Sequence, residues 1–358
     1  MIPIVKPYIP PKEDLMPVLE EVLYSGYIAQ GEKVEQFESE LSNFFETKNL
    51  LTVNSGTAAL HLALTLLGIG PGDEVISTPV TAEPTNTTIG LTGAKVVFAD
   101  VESTTGLIST SSVLQRITGN TKAIVVVHYA GMVADMSEIY RISRSTGIPV
   151  IEDCAHALGA SYNGKKLGYF SDFAIYSFQA IKHLTTIDGG LLIVKNSQDY
   201  SRAKKLRWFG LDKTISRAQN NIIEVGFKYH MNDVNATIGL CQLEFYHDNV
   251  QKYFDHGRLL DQGINNPKVA IPEYHKSTVP AYWLYTILVD DVEGFNSYMM
   301  SHGIMASQLH KRNDLHEVFK SSLELPGVDE FYRHFTHIGC GPWLEEEIEY
   351  VIEIINKY

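Results

Sequence analysis

The sequence has few cysteines and no long hydrophobic run. Its 358 residues include three cysteines, Cys154, Cys241 and Cys340, and no two of them form a Cys-x-x-Cys pair. That spacing favours neither a disulfide framework nor a zinc site, so we predict no metal. No apolar stretch reaches transmembrane length, and residues 1–7 lack the apolar core of a signal peptide. We therefore expect a cytoplasmic protein that has no membrane partner.

Basic residues are also scarce. The chain has 29 Lys and Arg against 42 Asp and Glu, which gives a formal net charge of −13. An acidic surface repels the phosphates of nucleic acids, so we expect no nucleic-acid partner. A small anionic ligand stays compatible with this charge, because a local pocket can oppose the global field. The content of hydrophobic residues, 44%, is ordinary for a globular protein and excludes a disordered chain.

The hydrophobic pattern predicts an α/β fold. Short apolar runs alternate with helical patterns through the first half, and several are solid Val/Ile runs, as in strands buried on both faces. This favours a mostly parallel central sheet with helices on both faces. The predicted strands are 50–53, 74–78, 95–99, 123–127, 149–151, 173–178 and 190–194. Beyond Met231 long amphipathic helices predominate, so we predict an extended arm (1–13), a large domain (14–244) and a smaller C-terminal α+β domain (245–358).

Two charged residues follow predicted strands. The run Pro149-Val150-Ile151-Glu152-Asp153 ends in a carboxylate at the carboxyl edge of the sheet, where ligands bind in α/β proteins. A second strand leads to Lys182, whose apolar neighbours favour the uncharged amine that forms a Schiff base. Each residue has a plainer interpretation as a surface or helix-capping group.

A third segment, Ser55-Gly56-Thr57, lies between a strand and the helix that begins at Ala58. Free N–H groups at a helix N-terminus, together with a hydroxyl, suit a phosphate. Ordinary N-capping by Ser55 or Thr57 explains the segment equally well. The order along the chain of the three segments, those with Ser55-Gly56-Thr57, Asp153 and Lys182, carries more weight than any one of them.

That order resembles the DegT/StrS-type nucleotide-sugar aminotransferases, a branch of the fold-type I enzymes that use pyridoxal 5'-phosphate (PLP). The resemblance runs nearly end to end and includes Ser55-Gly56-Thr57-Ala58-Ala59-Leu60, Glu152-Asp153-Cys154-Ala155-His156 and Ser177-Phe178 ahead of Lys182. It implies that Lys182 is the catalytic lysine that holds PLP covalently. It further implies that Asp153 pairs with the pyridine nitrogen and that His156 lies near the ring oxygen. The phosphate contacts that it implies are Gly56, Thr57 and Ser177.

The sequence departs from the family pattern at two places. The family has an aromatic residue over the cofactor ring, whereas the matching stretch here, 78–84, has none, which places Ala82 or Glu83 against the ring. The family also sends an Asn from the neighbouring subunit to the phosphate in a Gly-x-Asn-x-Arg segment. Here that segment reads Gly226-Phe227-Lys228-Tyr229-His230, so we expect Lys228 to reach the phosphate as a point charge.

The resemblance implies transfer of an amino group from L-glutamate to a nucleotide-linked keto-deoxysugar, with the 4-keto sugar preferred, for amino-sugar biosynthesis. It also implies a homodimer with active sites at the interface. One alternative is a PLP-dependent sugar 3-dehydratase, a branch in which histidine replaces the lysine; here the histidine is one position late, at His183. Another is a non-catalytic PLP-binding regulator. We expect His310 and His316 at the surface, and leave open a contact between Arg312 and a substrate phosphate.

Overall fold

The computed structural model of the chain describes residues 1–319 and 321–358. Within them lie fourteen strands and eleven α-helices. The strands are β1 (Leu50–Val53), β2 (Glu74–Ser77), β3 (Lys95–Phe98), β4 (Thr121–Val127), β5 (Val150–Asp153), β6 (Ser161–Tyr162), β7 (Lys165–Lys166), β8 (Phe173–Ser177), β9 (Gly190–Val194), β10 (Val269–Ala270), β11 (Thr278–Val279), β12 (Tyr285–Val289), β13 (Ala306–Ser307) and β14 (Phe335–Ile338). The helices are α1 (Lys12–Tyr24), α2 (Glu32–Phe45), α3 (Gly56–Leu66), α4 (Glu83–Leu91), α5 (Thr110–Arg116), α6 (Met136–Thr146), α7 (Ser197–Leu206), α8 (Asp233–Gly263), α9 (Val292–Ser301), α10 (Pro326–His334) and α11 (Ile348–Lys357).

Seven strands form the central sheet, in the order β1-β9-β8-β5-β4-β2-β3. The run from β3 through β2, β4 and β5 to β8 is parallel. Only β9 reverses the direction, since it pairs antiparallel with both β8 and β1. The predicted mostly parallel sheet is therefore confirmed. Its parallel strands end at one common edge, which is the edge where ligands bind in such sheets.

Helices cover both faces of this sheet. In β4, Ile124 packs in one core cluster with Phe37 of α2 and Ile139 of α6, whereas the next residue, Val125, packs in another with Leu62 of α3. Neighbouring residues on one strand thus enter different hydrophobic layers. This explains why the strands read as solid Val/Ile runs, since residues 123–127 of β4, for example, are all buried.

A second, smaller sheet has the order β10-β12-β14-β13, and all its pairs are antiparallel. Phe295 of α9 and Val351 of α11 pack in its hydrophobic core. This is the predicted α+β region. The N-terminal arm is tied to the same region, because Ile2 forms a bridge with Ile304 and the carbonyl of Pro3 accepts the indole N–H of Trp343 at 3.1 Å.

The predicted boundary between residues 244 and 245 falls inside α8, which continues to Gly263. The first part of this helix packs on α1 and α2, and its later part packs on α11. One helix therefore belongs to the cores of both regions, and the division of the chain into domains stays a prediction. None of the helices in the described residues is long and apolar enough to cross a membrane.

Candidate active site

A cavity of about 420 Å³ lies at the carboxyl edge of the central sheet. Its wall combines the ends of β4, β5 and β8 with the first turns of α3 and α4. Side chains from distant parts of the sequence meet there because parallel strands end at the same edge. Six of the seven residues predicted for the site line this cavity: Gly56, Thr57, Asp153, His156, Ser177 and Lys182.

Lys182 enters the cavity from the turn that follows β8. The turn is fixed by two backbone hydrogen bonds, from the N–H of Lys182 to the carbonyl of Gln179 at 2.9 Å and from the N–H of Thr186 to the carbonyl of Phe178 at 2.9 Å. Burial lowers the pKa of the Lys182 amine to about 7, and the charge of Asp153 opposes that shift. The amine therefore exists in comparable charged and uncharged populations near neutral pH, which suits a group that both accepts and donates protons.

Asp153 is the last residue of β5 and is buried. Its Oδ2 accepts a hydrogen bond from the hydroxyl of Thr85 at 2.8 Å, and its Oδ1 accepts one from the N–H of Ala155 at 3.1 Å. Burial raises the pKa of this carboxyl, while those two hydrogen bonds and the charge of Lys182 act against the rise. A buried carboxylate in this condition is stabilised by any cation that enters the cavity.

The first turn of α3 supplies free N–H groups to the same cavity. Ser55 caps the helix, because its side chain accepts the N–H of Ala58 at 3.0 Å. A Cβ at Gly56 would lie 3.0 Å from the Cβ of Ser177, so glycine allows the end of β8 to approach the helix N-terminus closely. N–H groups at a helix start, with the hydroxyl groups of Thr57 and Ser177 in the same wall, form an anion site.

His156 is buried, and its Nδ1 has no hydrogen-bond partner among the described residues. Its ring stacks on the ring of Trp283, with centroids 3.8 Å apart. Burial, and then the charge of Lys182, hold the pKa of His156 well below its usual value. The imidazole is therefore neutral at physiological pH and has one ring nitrogen free for a ligand.

Residues 11–356 match the DegT/DnrJ/EryC1/StrS aminotransferase family. The chain belongs to this family. Among its relatives is the spore coat polysaccharide biosynthesis protein SpsC of Bacillus subtilis, 37% identical over 289 residues, which are 78% of this chain and 74% of SpsC.

Solved structures of sugar aminotransferases superpose closely on this family member. CalS13 from Micromonospora echinospora is 32% identical with a TM-score of 0.96, and the match covers 100% of both chains. The PLP form of Spr1654 from Streptococcus pneumoniae is 26% identical with a TM-score of 0.89, covering 99% of this chain and 98% of Spr1654. The α/β fold is thus that of the PLP-dependent sugar aminotransferases. PLP is the cofactor of this aminotransferase family.

The wall of the cavity fits PLP group by group. The start of α3 and Ser177 offer N–H and hydroxyl donors for a phosphate, and glycine at position 56 lets these two groups of donors lie close together. Asp153 has a pKa that is raised by burial, so it gains from a positively charged ring nitrogen. The free Nδ1 of His156 is available to a ring hydroxyl. The role of each residue toward the cofactor remains a prediction.

Both sequence departures are visible in this aminotransferase. Ala82 and Glu83 line the cavity, as expected from the stretch that lacks an aromatic residue, and within the described residues no Phe, Tyr or Trp side chain lines it. Lys228 does not line the cavity of its own chain. It forms an isolated bridge with Trp208, and its carbonyl accepts a hydrogen bond from the Asn54 side chain at 3.2 Å.

Three residues of the site have no signal in the local sequence. Thr85 holds Asp153, Trp283 underlies His156, and His310 lines the cavity although we expected it at the surface. That expectation for His310 is wrong because the loop after β13 folds back over the cavity. There Asn313 anchors the loop, since its side chain donates to the carbonyl of Thr81 at 3.0 Å.

Arg312, for which a phosphate contact was left open, is engaged within its own region. Its guanidinium pairs with both oxygens of Asp314 and also with Asp329. Elsewhere, behind the end of β5, His128, Glu152 and Cys154 bring their ligand atoms within 4.8 Å of one another. The N–H of Ala134 donates to Nδ1 of His128 at 3.3 Å, so the Nε2 hydrogen is the one that points to Glu152. A hydrogen bond therefore explains why His128 and Glu152 lie together.

Proposed function

We propose that the protein transfers an amino group from L-glutamate to a nucleotide-linked 4-keto-deoxysugar, as a step in amino-sugar biosynthesis. The observation that carries this proposal is the buried amine of Lys182, whose pKa lies at about 7, in one cavity with Asp153. An amine in that state is both a nucleophile and a proton carrier. The name of SpsC, which refers to a spore coat polysaccharide, supports an amino sugar as the product.

Bound PLP supplies an electron sink for the electron pair that remains when the donor loses its α-proton. Asp153 provides the negative charge that keeps a ring nitrogen protonated, and Thr85 fixes the orientation of its carboxylate. Lys182 takes the α-proton and delivers it to the second reacting carbon. The N-terminus of α3 and Ser177 bind the phosphate, and His156 orients the ring through its free nitrogen.

The charges of the wall support a homodimer with shared sites. Three carboxylates, Glu83, Asp153 and Asp188, line the cavity, and Lys182 is the one Lys or Arg that lines it within the described part of the chain. L-glutamate and a sugar nucleotide both carry negative charge, so a second source of positive charge is needed. Lys228 of the partner subunit is our candidate for part of it.

The first test is the visible absorption spectrum of the purified protein, recorded before and after addition of L-glutamate. We expect a band from the lysine-linked cofactor that disappears with glutamate while 2-oxoglutarate appears. Lys182→Ala should lack the lysine-linked band, and Lys195→Ala, a change at an exposed lysine paired with Asp172, should keep it. A band that glutamate leaves unchanged would reject glutamate as the donor.

The second test identifies the acceptor. Nucleotide-linked 4-keto and 3-keto deoxysugars are added one at a time to the glutamate-treated protein, and we expect the 4-keto sugar to restore the band and yield an amino sugar. Restoration by a 3-keto sugar alone would move the reaction to carbon 3. A deoxygenated product without nitrogen would indicate a dehydratase, and PLP binding without turnover of any donor or acceptor would indicate a regulator.

A further inference from the structure

The segment Ala281–Trp283, just before the small sheet, holds the turn that carries Lys182. The ring Nε2–H of His183 donates to the carbonyl of Ala281 at 2.9 Å. In the opposite direction, the indole N–H of Trp283 donates to the carbonyl of Ile181 at 2.9 Å. These two bonds attach to the residues directly before and after Lys182, so the position of the lysine backbone depends on this segment.

The indole of Trp283 also contacts the lysine amine itself. Nζ of Lys182 lies 3.8 Å from the centre of the indole ring. The indole is 1% exposed, and its N–H bond to Ile181 fixes the plane of the ring. The imidazole of His156 stacks on the same indole. One side chain therefore contacts both a reacting amine and the histidine that lines the cavity beside it.

The backbone around Trp283 is built for this close approach. Tyr282 has φ +49° and Ala130 has φ +57°, a left-handed conformation that non-glycine residues hold only when their surroundings enforce it. A Cβ at Gly131 would lie 2.9 Å from the backbone nitrogens of both Tyr282 and Trp283. The N–H of Ala281 donates to the carbonyl of Gly131 at 2.8 Å. Two strained segments thus fix where the indole lies.

We propose that Trp283 is a positioning residue for the amino-transfer reaction, and that its indole face holds the charged form of the Lys182 amine in place. This inference rests on the proposed function of Lys182. Of the carboxylates that line the cavity, Glu83, Asp153 and Asp188, only Asp153 raises the pKa of the Lys182 amine. The imidazoles of His156, His183 and His310 also face the amine, and burial and its charge both lower the pKa of each of them. The negative face of an indole is a second group that favours the charged amine. Trp283 thereby helps the lysine to keep the proton that it must return to the substrate.

A cation–π contact and a purely space-filling role predict opposite changes in the pKa of Lys182. Burial lowers that pKa, and the indole face counteracts the lowering because it favours the charged form. If the indole face is lost while the site stays apolar, the pKa of Lys182 falls further. If Trp283 only fills space, a smaller side chain admits water and the pKa rises toward that of an ordinary lysine.

The experiment uses the cofactor-free full chain and acetic anhydride as the probe. The rate of Lys182 acetylation is followed by peptide mass spectrometry across a pH series that spans neutrality, for wild type, Trp283→Leu and Trp283→Phe. The matched control is Trp343→Phe, because Trp343 also donates its indole N–H to a backbone carbonyl, that of Pro3, and does not line the cavity. Circular dichroism confirms that each variant is folded.

We expect the labelling midpoint to fall by roughly 0.5–1.5 pH units in Trp283→Leu, by less in Trp283→Phe, and not in Trp343→Phe. A midpoint that stays or rises in Trp283→Leu overturns the proposal. If that variant does not fold, Trp283→Phe decides, since benzene holds a cation less well than indole and its midpoint must still fall. The apoprotein needs neither donor nor sugar, so a failure of glutamate or of the keto sugar as substrate leaves this result readable.

Discussion

The two faces of β5 carry neighbouring carboxylates with opposite surroundings. On one face, Glu152 accepts hydrogen bonds from Nε2 of His128 at 3.0 Å, from the hydroxyl of Tyr140 at 2.7 Å and from the N–H of Gly168 at 3.2 Å. Burial acts to raise the pKa of Glu152, but the hydrogen bonds, that of His128 first, hold it below its usual value. On the other face, burial prevails and raises the pKa of Asp153.

This difference separates a carboxylate that holds the fold together from one that we propose binds the cofactor. Both side chains are buried on the same strand, so burial alone does not mark the site. The distinguishing feature is how well each charge is compensated within the chain. Glu152 has its donors in place and ties the end of β4, α6 and the connection before β8 together. Asp153 faces a cavity and retains capacity for a cation, which is how a binding group differs from a packing group.

The largest effect should come from Lys182→Ala, a change in the cavity that Asp153 faces. Loss of the amine removes both the covalent attachment point and the proton carrier, and general acid–base catalysis alone is worth about 10²–10⁴-fold. We expect turnover to fall by at least that factor, measured as amino-sugar formation under saturating glutamate. Turnover within tenfold of wild type would mean that another group carries the proton and would remove Lys182 from the proposed mechanism.

The next test compares the two carboxylates directly. In Asp153→Asn the negative charge that we propose lies beside the cofactor ring is lost, so we expect PLP affinity or turnover to fall by at least about tenfold, the equivalent of one pKa unit of stabilisation. Glu152→Gln changes the other face of the same strand and should keep PLP affinity within a few-fold of wild type. Equal losses in both variants would break the distinction between the faces. PLP titration followed by absorbance measures both.

The pH dependence of the reaction with glutamate should report the protonation state of Lys182. Burial lowers the pKa of the free Lys182 amine to about 7, so the amine that the donor releases is mostly protonated, and a poor proton acceptor, below that pH. The single-turnover rate with saturating glutamate should therefore rise as pH increases and level off above about 7. A lysine in water would extend the rise toward about pH 10. A rate that is flat through neutrality would contradict the predicted state of the amine.

Protein stability should depend more on Glu152 than on Asp153, which is the reverse of the order expected for PLP affinity. Glu152→Gln removes a compensated charge and should lower the free energy of unfolding of the apoprotein by about 1–3 kcal/mol at neutral pH. Because the pKa of Glu152 is lowered on folding, its contribution is present above the unfolded value of 4.5 and is lost as pH falls through the folded pKa. The gap between wild type and variant should shrink on acidification.

Asp153→Asn is the matched control for that stability measurement. A raised pKa means that the charged carboxylate costs stability above its folded pKa, and that this cost disappears on acidification. The variant apoprotein should then melt at or above the wild-type temperature at neutral pH. A melting temperature well below wild type would show that Asp153, like Glu152, is chiefly structural. Thermal unfolding at several pH values measures both variants.

Sequence patterns predicted the central sheet because its strands are buried on both faces and end in recognisable turns. The same property concealed the difference between Glu152 and Asp153, since a strand without alternating polarity does not indicate which face a residue occupies. The motifs located Lys182, whereas Trp283 contacts it across about a hundred residues of chain with no local signal. The predicted domain boundary between residues 244 and 245 falls inside α8, because no proline stops the helical pattern before Gly263.

The smallest expected effect concerns Lys228, and it tests whether a second chain compensates the acidic cavity. In Lys228→Met a single point charge that we propose lies near the phosphate is lost, so PLP affinity should fall by roughly 2- to 10-fold. The contact between the Lys228 carbonyl and Asn54 places its backbone near Gly56 of the same chain, so an effect within one subunit must be separated from one across the interface. A single mutant cannot separate them, because both subunits of a homodimer carry the change.

A mixed dimer can. One subunit carries Lys182→Ala with Lys228 intact, and the other carries Lys228→Met with Lys182 intact, so only the second subunit forms the lysine-linked absorption band. If Lys228 acts across the interface, that subunit receives the intact lysine of its partner and binds PLP with wild-type affinity. If Lys228 acts within its own chain, the affinity equals that of Lys228→Met. The second result would contradict shared sites and require the positive charge that the cavity lacks to come from elsewhere, because Arg312 is already paired with Asp314 and Asp329.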